Sequence, residues 1–340
     1  MDVERFSIDS PAAFDAPKFG RRLLSWYRKH GRDLPWRRTR DPYAVLVSEL
    51  MLQQTQVATV VAYYERWLQR FPDFAALAAA SESDVLHAWQ GLGYYARARN
   101  LHATAKAVVH QHRGAFPPSN IEAQKLPGLG RYTANAVATF AFDRSVPLVE
   151  ANTARLHARL LNLQTRIDSG AGQKVLWDFA AALLPKRNAG KFNSALMDLG
   201  ALVCVAGKPK CGECPVRAFC RAAEPALLPL KKERAALKEL NEAHQFAHRS
   251  GRVLLEQSTD RWRGMWILPR IAQPNGTARL LHRSQFPFTH HRVTLDGFRL
   301  SRTATSDSCR WFRADEIDRI PVPSPHRRAL HTLLAQRQTN

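Results

Sequence analysis

The sequence predicts a mostly α-helical domain followed by a smaller α+β domain. Three observations lead there. From about Lys18 to Arg221 apolar residues recur at three-to-four spacing, with little β-branched alternation. A stretch with Pro225, Pro229 and the run Lys231-Lys232-Glu233-Arg234 then breaks the pattern. Beyond it, short strand-like runs are separated by hairpin signals. A length of 340 residues leaves room for two domains, each with its own core.

Taken in order, residues 1–17 read as a loose N-terminal arm, mixed and Pro-containing. Asp2, Glu4 and Asp9 with no apolar run exclude a signal peptide there. Residues 18–222 form the helical domain. Its helical periodicity is plain over Tyr43–Trp67, Glu82–Trp89 and Ala96–Val109. Breaks fall at Pro117-Pro118, Pro127-Gly128 and Gly190. Residues 223–243 form a connector with one charged helical stretch. Residues 244–336 form the α+β domain. In it Gln245–Ala247 and Arg252–Glu256 flank the hairpin signal Ser250-Gly251. Thr289–Arg299 reads as a strand pair broken at Asp296-Gly297, and Arg327–Gln336 as a closing helix.

The net charge is +21, with an isoelectric point near 10.5 and a mean hydropathy of −0.35. That surplus calls for a polyanionic partner, with nucleic acid ahead of an anionic membrane surface. No run of about 18 uncharged apolar residues is present, so no membrane span is expected and the protein reads as cytoplasmic. Four of the five cysteines, Cys204, Cys211, Cys214 and Cys220, crowd into a C-x6-C-x2-C-x5-C pattern. A secreted disulfide protein would spread its cysteines, so the cluster points to metal. Thiolates suit zinc or iron–sulfur, and Gly207, Pro209, Gly212 and Pro215 let the chain curl round one centre. Lys208, Lys210 and Arg217, set among the cysteines, can present cations to phosphate.

A second motif, Leu126-Pro127-Gly128-Leu129-Gly130-Arg131-Tyr132-Thr133-Ala134, joins two helical stretches. Pro127 ends the first, Gly128 and Gly130 permit a tight turn, and the next helix opens with free amides facing outward. This pattern resembles the helix-hairpin-helix DNA-binding motif, which grips the DNA backbone without reading sequence. Gly128, Gly130 and Arg131 are its DNA-binding candidates.

Two further segments carry a family resemblance. Ser48-Glu49-Leu50-Met51-Leu52-Gln53-Gln54-Thr55-Gln56-Val57 and Gly91-Leu92-Gly93-Tyr94-Tyr95-Ala96-Arg97-Ala98-Arg99-Asn100 resemble the signatures of adenine DNA glycosylases of the MutY type. The cysteine spacing resembles the [4Fe–4S] loop of the wider superfamily that includes endonuclease III. Trp262-Arg263-Gly264-Met265-Trp266 and Phe288-Thr289-His290 resemble the Nudix-like recognition domain of the same enzymes. No Glu-rich hydrolase box follows Pro269, so pyrophosphatase activity is not implied.

The resemblance implies a monofunctional, monomeric enzyme with a [4Fe–4S] cofactor. Its substrate would be double-stranded DNA with adenine opposite 8-oxoguanine or guanine. Cutting an N-glycosidic bond asks for an acid at the leaving base and a negative charge at the sugar. Glu49 lies in an apolar helical run, where burial raises its pKa; the resemblance makes it the general acid. The family reads Val-Asp-Gly-Asn where this chain reads Val149-Glu150-Ala151-Asn152. Glu150 keeps the charge of the Asp it replaces on a side chain longer by one methylene, and Asn152 is retained. Tyr132 stands where bifunctional relatives carry lysine, so no Schiff base forms there. Gln53, Gln54 and Tyr94 are implied to wedge into the duplex and hold the opposing base. Arg97 and Arg99 are assigned to phosphate, and Phe288, Thr289 and His290 to 8-oxoguanine. The rival readings are a mismatch thymine glycosylase, an endonuclease III, and a mismatch-binding protein without catalysis, which the Glu150-Ala151 departure would explain.

Overall fold

The computed structural model describes residues 14–233, 235–272 and 278–338. The helices run α1 (Ala16–His30), α2 (Pro42–Leu52), α3 (Val57–Arg70), α4 (Phe74–Ala79), α5 (Glu82–Ala88) and α6 (Ala96–Gln111). They continue as α7 (Asn120–Ala123), α8 (Arg131–Phe142), α9 (Ala151–Leu161), α10 (Gly170–Leu183) and α11 (Ala189–Leu202). Then come strands β1 (Lys238–Gln245), β2 (His248–Arg249), β3 (Arg252–Gln257), β4 (Trp266–Ile267), β5 (Arg279–Phe288), β6 (His291–Arg299) and β7 (Cys309–Arg313), and helix α12 (Ser324–Gln338). No helix among the described residues is long and apolar enough to cross a membrane.

By contacts the chain forms two compact units, Met1–Gln53 with Gln111–Glu233 and Gln54–His110 with Arg234–Asn340. The expected split at 18–222 and 244–336 is therefore not the one the contacts draw: helices α3 to α6 group with the C-terminal residues. In the first unit, Asp41 caps α2 by accepting from the Tyr43 and Ala44 amides, and Pro42 presets its first turn. Every residue of α2 from Tyr43 to Met51 is buried, so this helix runs through an interior. A neighbouring core joins Phe19 and Leu23 of α1, Leu156 and Leu160 of α9, and Phe192, Leu196 and Leu199 of α11. Truncating one such aromatic, as in Phe19→Ala, would cost about 3–5 kcal/mol.

In the second unit, Trp67 of α3 packs edge-on to Trp89 at 5.3 Å and to Phe71 at 5.0 Å. The C-terminal residues join this helical layer by specific bonds. Arg99 of α6 donates to the Arg263 carbonyl at 3.0 Å, and Arg327 of α12 donates to Gln90 Oε1 at 3.1 Å. Gly264, against Glu82 and Leu86, adopts φ 84°, a conformation that favours glycine. One sheet has the order β1-β6-β5, with β1 parallel to β6 and β5 antiparallel to it. In the other, β3 pairs antiparallel with β2, β4 and β7.

Three local expectations are corrected. The hairpin over 289–299 turns at Thr289-His290, where Thr289 adopts φ 54°, and β6 runs unbroken through Asp296-Gly297. Asp296 stands opposite Arg283 of β5 and pairs with its guanidinium at 2.7 Å, which holds that dipeptide in the strand. The charged stretch 231–233 is not helical, and β1 begins at Lys238, inside the expected connector. Helix α1 starts at Ala16, within the expected arm, because Asp15 caps it by accepting from the Lys18 amide at 2.8 Å. The rest of the arm, residues 1–13, lies outside the described residues.

Candidate active site and iron–sulfur loop

Glu49 sits on α2 and is 4% exposed. Its Oε2 accepts from the Tyr132 hydroxyl at 2.8 Å. Burial pushes the Glu49 carboxyl up to about 7; the Tyr132 hydrogen bond and the Arg37 charge oppose this, and the Glu150 charge adds to it. Near neutrality the group can therefore hold a proton. Tyr132 comes from α8, and burial between two carboxylates holds its phenol well above its ordinary value. It stays a neutral hydrogen-bond donor.

Glu150 has a different environment. It is the N-cap of α9, with Oε2 accepting from the Asn152 amide and Oε1 from the Thr153 amide, both at 2.8 Å. The Glu150 amide in turn donates to Thr153 Oγ1 at 2.9 Å, closing a capping box. The extra methylene is absorbed by folding the side chain back on its own helix. Burial leaves the Glu150 pKa raised on balance, although the two amides, Arg155 and Arg32 pull it down. The helix N-terminus adds a positive potential that favours the charged form. Asn152 is fixed in turn: its Oδ1 accepts from Arg155 Nη2 at 2.8 Å. A Cβ on Gly200 of α11 would lie 2.8 Å from the Asn152 Cβ, so this glycine permits the close approach.

Sequence reasoning missed a third group. Asp198 of α11 is fully buried and accepts from Arg32 N, Arg32 Nε, Arg37 Nη1 and Arg37 Nη2 at 2.7–2.9 Å. Its pKa is lowered despite burial, by hydrogen bonds and charge from these arginines. Arg37 acts on Glu49, and Arg32 on Glu150. The signal was present: Asp198 interrupts the apolar run Ala195-Leu196-Met197-Asp198-Leu199, as Glu49 interrupts its own.

The other expected residues divide. In the glycine turn Gly128 has φ 73°, but Gly130 has φ −82° and serves as the N-cap of α8 without a side-chain cap. The first amides of α8 are thus left for an anion. The Arg131 guanidinium stacks over Trp177 at 3.8 Å. Gln53 donates to Thr133 Oγ1 at 3.3 Å. Gln54, Tyr94, Arg97, Arg99 and Phe288 to His290 lie in the second unit. Tyr94 is 48% exposed. Arg97 is only 7% exposed and donates inward to Leu92 and Gly93 carbonyls, so it does not present itself to phosphate. Arg99 is likewise engaged with Arg263. Phe288 takes Arg261 over its ring at 4.5 Å, and the exposed Thr289 hydroxyl donates to the Phe288 carbonyl at 2.7 Å.

The four cysteines line one cavity of about 250 Å³ with Leu156, Arg159, Leu160, Val203 and Val216. Among the described residues no group of three or more His, Cys, Asp or Glu is arranged to hold a single ion. The thiols instead surround a space of several atoms. Burial holds the Cys214 thiol near 11, so its thiolate needs positive charge inside the cavity. The buried Arg159 approaches Cys204 Sγ with Nη1 at 3.3 Å and leaves Nη2 without a partner. That donor and the thiols fit an iron–sulfur cluster, which carries cations within a net-anionic shell.

Two family models match this chain. Residues 47–181 match the HhH-GPD superfamily of base excision DNA repair proteins, and residues 204–220 the iron-sulfur binding domain of endonuclease III. A solved thermostable thymine-DNA glycosylase superposes with a TM-score of 0.56 at 29% identity, covering 62% of this chain and 96% of its own. Fold and cysteine loop thus place the chain among the helix-hairpin-helix base excision DNA repair proteins with an endonuclease III-type iron–sulfur loop. The adenine DNA glycosylase of Rattus norvegicus is 45% identical over 217 residues, 61% of this chain and 42% of its own length. That of Buchnera aphidicola subsp. Schizaphis graminum is 33% identical over 259 residues, 74% of this chain and 75% of its own. The chain belongs to the adenine DNA glycosylase family, while spanning less than half of the rat protein.

Proposed function

We propose that this protein hydrolyses the N-glycosidic bond of adenine paired with 8-oxoguanine or guanine in double-stranded DNA. The observation that carries this reading is the contrast between its two carboxylates. Glu49 is desolvated, with its pKa raised to about 7, whereas Glu150 accepts two backbone amides at a helix N-terminus. Paired groups with environments this different divide into an acid and a charge stabiliser. Glu49 protonates the leaving adenine, since an unprotonated purine anion is a poor leaving group. The Glu150 carboxylate stabilises the oxocarbenium character of the sugar, and water completes the hydrolysis. Tyr132 orients Glu49 and, having no amine, forms no Schiff base. The free amides of α8 and the basic surface hold phosphate. When bound, the cluster organises the cysteine loop, whose Lys208, Lys210 and Arg217 face phosphate in our reading.

The second domain, which we read as Nudix-like, distinguishes the lesion. 8-Oxoguanine carries a proton on N7 where guanine carries a lone pair. The Thr289 oxygen, having given its proton to Phe288, keeps lone pairs for that N7–H. We read the protein as acting as a monomer in the cytoplasm. The test is a gel assay with adenine opposite 8-oxoguanine, opposite guanine and opposite thymine. Adenine release from the first two, with strands intact until alkali, is expected. Cleavage without alkali, or a strong borohydride-trapped adduct, would overturn the monofunctional assignment, and no release would overturn the activity.

A further inference from the structure

Arg97 belongs to a signature segment, yet it does not face outward. It lies at the start of α6, and Nη2 donates to Leu92 O at 2.9 Å, Gly93 O at 3.0 Å and Thr55 Oγ1 at 3.3 Å. One nitrogen therefore ties together two loops distant in sequence, 53–56 and 90–95. Trp89 Nε1 supports the same junction by donating to Gly93 O at 3.1 Å. The guanidinium carbon lies 5.3 Å from the Trp89 ring centre and 5.7 Å from that of Tyr94, holding the exposed tyrosine from below.

Each loop carries a non-glycine residue in the left-handed region, Gln54 at φ 57° and Tyr94 at φ 46°. Such a conformation costs on the order of 1 kcal/mol or more per residue and persists only where surrounding contacts hold it. The neighbouring Gly91 takes φ 103° without strain, and a Cβ there would sit 2.1 Å from Tyr63 Oη. Two strained polar or aromatic residues, held by one buried cation, mark a preformed contact surface. A guanidinium aimed at phosphate would instead be exposed.

We propose that Arg97 is a positioning residue that locks the Gln54 and Tyr94 backbones in the conformation that enters the DNA stack, and that it does not bind phosphate. This rests on reading the protein as a base-extruding glycosylase. Thr55 is the separable arm of the device: Thr55→Val removes one acceptor and leaves the Arg97 contacts to the 90–95 loop in place.

The experiment uses the full chain with its cluster. The probe is a duplex with adenine opposite 8-oxoguanine and 2-aminopurine beside the 8-oxoguanine. Fluorescence reports unstacking by the wedge, and single-turnover adenine release is followed on the same duplex without the probe. Arg97→Gln should lower unstacking and slow release by about 10²-fold, the effect of a displacement near 1 Å. Thr55→Val should slow it by about tenfold, with unfolding transitions unchanged. The slope of log affinity against log salt should stay at the wild-type value in both. Arg97→Gln added to Tyr94→Ala should slow release by less than the product of the two single losses, because Arg97 acts partly through Tyr94 and partly through Gln54.

A slope reduced by about one in Arg97→Gln would show a lost phosphate contact and overturn the proposal. Multiplying losses in the double variant, or unchanged unstacking in both single variants, would also overturn it. Wild-type protein that unstacks and cuts as expected while Arg97→Gln matches it would sink this inference alone. Wild-type protein that does neither would overturn the functional reading, and this inference with it.

Discussion

Replacing Glu49 by glutamine separates the two consequences of a buried acid. Glutamine keeps the shape and an oxygen for the Tyr132 hydroxyl, which now donates to Oε2 at 2.8 Å. It cannot give up a proton. Loss of general acid help is worth about 10²–10⁴-fold, so single-turnover adenine release should fall by that much with DNA affinity retained. Wild-type release should decline about tenfold per pH unit above the Glu49 pKa of about 7, because only the protonated form acts. Wild-type stability should fall over the same range. The rise from 4.5 to about 7 means that ionising Glu49 in the fold costs about 3 kcal/mol. A raised folded pKa gives stability that is complete below the unfolded value and lost as pH climbs through the folded one. From pH 5.5 to 8 the wild type should therefore lose about 2 kcal/mol that Glu49→Gln keeps. In melting this is a relative gain of about 4–8 °C for the variant. Release that stays flat to pH 9, or a glutamine variant cutting at wild-type speed, would show that Glu49 is structural.

Three other outcomes follow from the same geometry. Glu150→Gln should lose nearly all activity, while Glu150→Asp should stay within about 10²-fold of wild type, since charge and helix cap both survive; single-turnover release decides. Cys211→Ser should lose iron, read by absorbance and metal analysis, and with it most DNA affinity, because the loop that carries Lys208, Lys210 and Arg217 loses its centre. Thr289→Val should cut the preference for 8-oxoguanine over guanine by about five- to tenfold, the worth of one hydrogen bond, and leave cutting opposite guanine unchanged.

Features that local sequence controls were legible. Glu49 within Val45-Leu46-Val47 and Leu50-Met51-Leu52 announced its burial, and the fold places it 4% exposed. The cysteine spacing announced one site, and the four thiols line one cavity. What failed was set by partners far along the chain. Asp-Gly is a strong hairpin signal, yet Asp296-Gly297 stays in β6 because Arg283 stands across from it. β1 exists because β6, about fifty residues on, offers a parallel edge. Arg97 looked like a phosphate ligand because an arginine beside a DNA-binding loop usually is one. Only the fold shows that its acceptors lie in two loops. Asp198 needed Arg32 and Arg37 beside it before its burial acquired meaning.

The departure at Glu150-Ala151 alters one carboxylate of the proposed site, and the structure shows how it is accommodated. An aspartate at that position would cap α9 with a short side chain. Glutamate reaches the same two amides by turning back, each oxygen at 2.8 Å. Its charge is thus held by the helix start, not by a free rotamer, which limits the misplacement the longer chain introduces. Alanine in place of glycine is tolerated for a separate reason: Ala151 is the first residue of α9 and lies outside the left-handed region, so no glycine is required there. The position that does require glycine is Gly200, on the facing helix against Asn152. The same carboxylate also feels Arg155 and Arg32, whose charges favour ionisation. Glu49 takes the Tyr132 phenol as its donor and, among the described residues, no backbone amide, and its pKa is raised to about 7, so protonation is easiest there. In the proposed reaction the acid and the anion thus divide by what each side chain accepts, and the same division is expected for an Asp in place of Glu150.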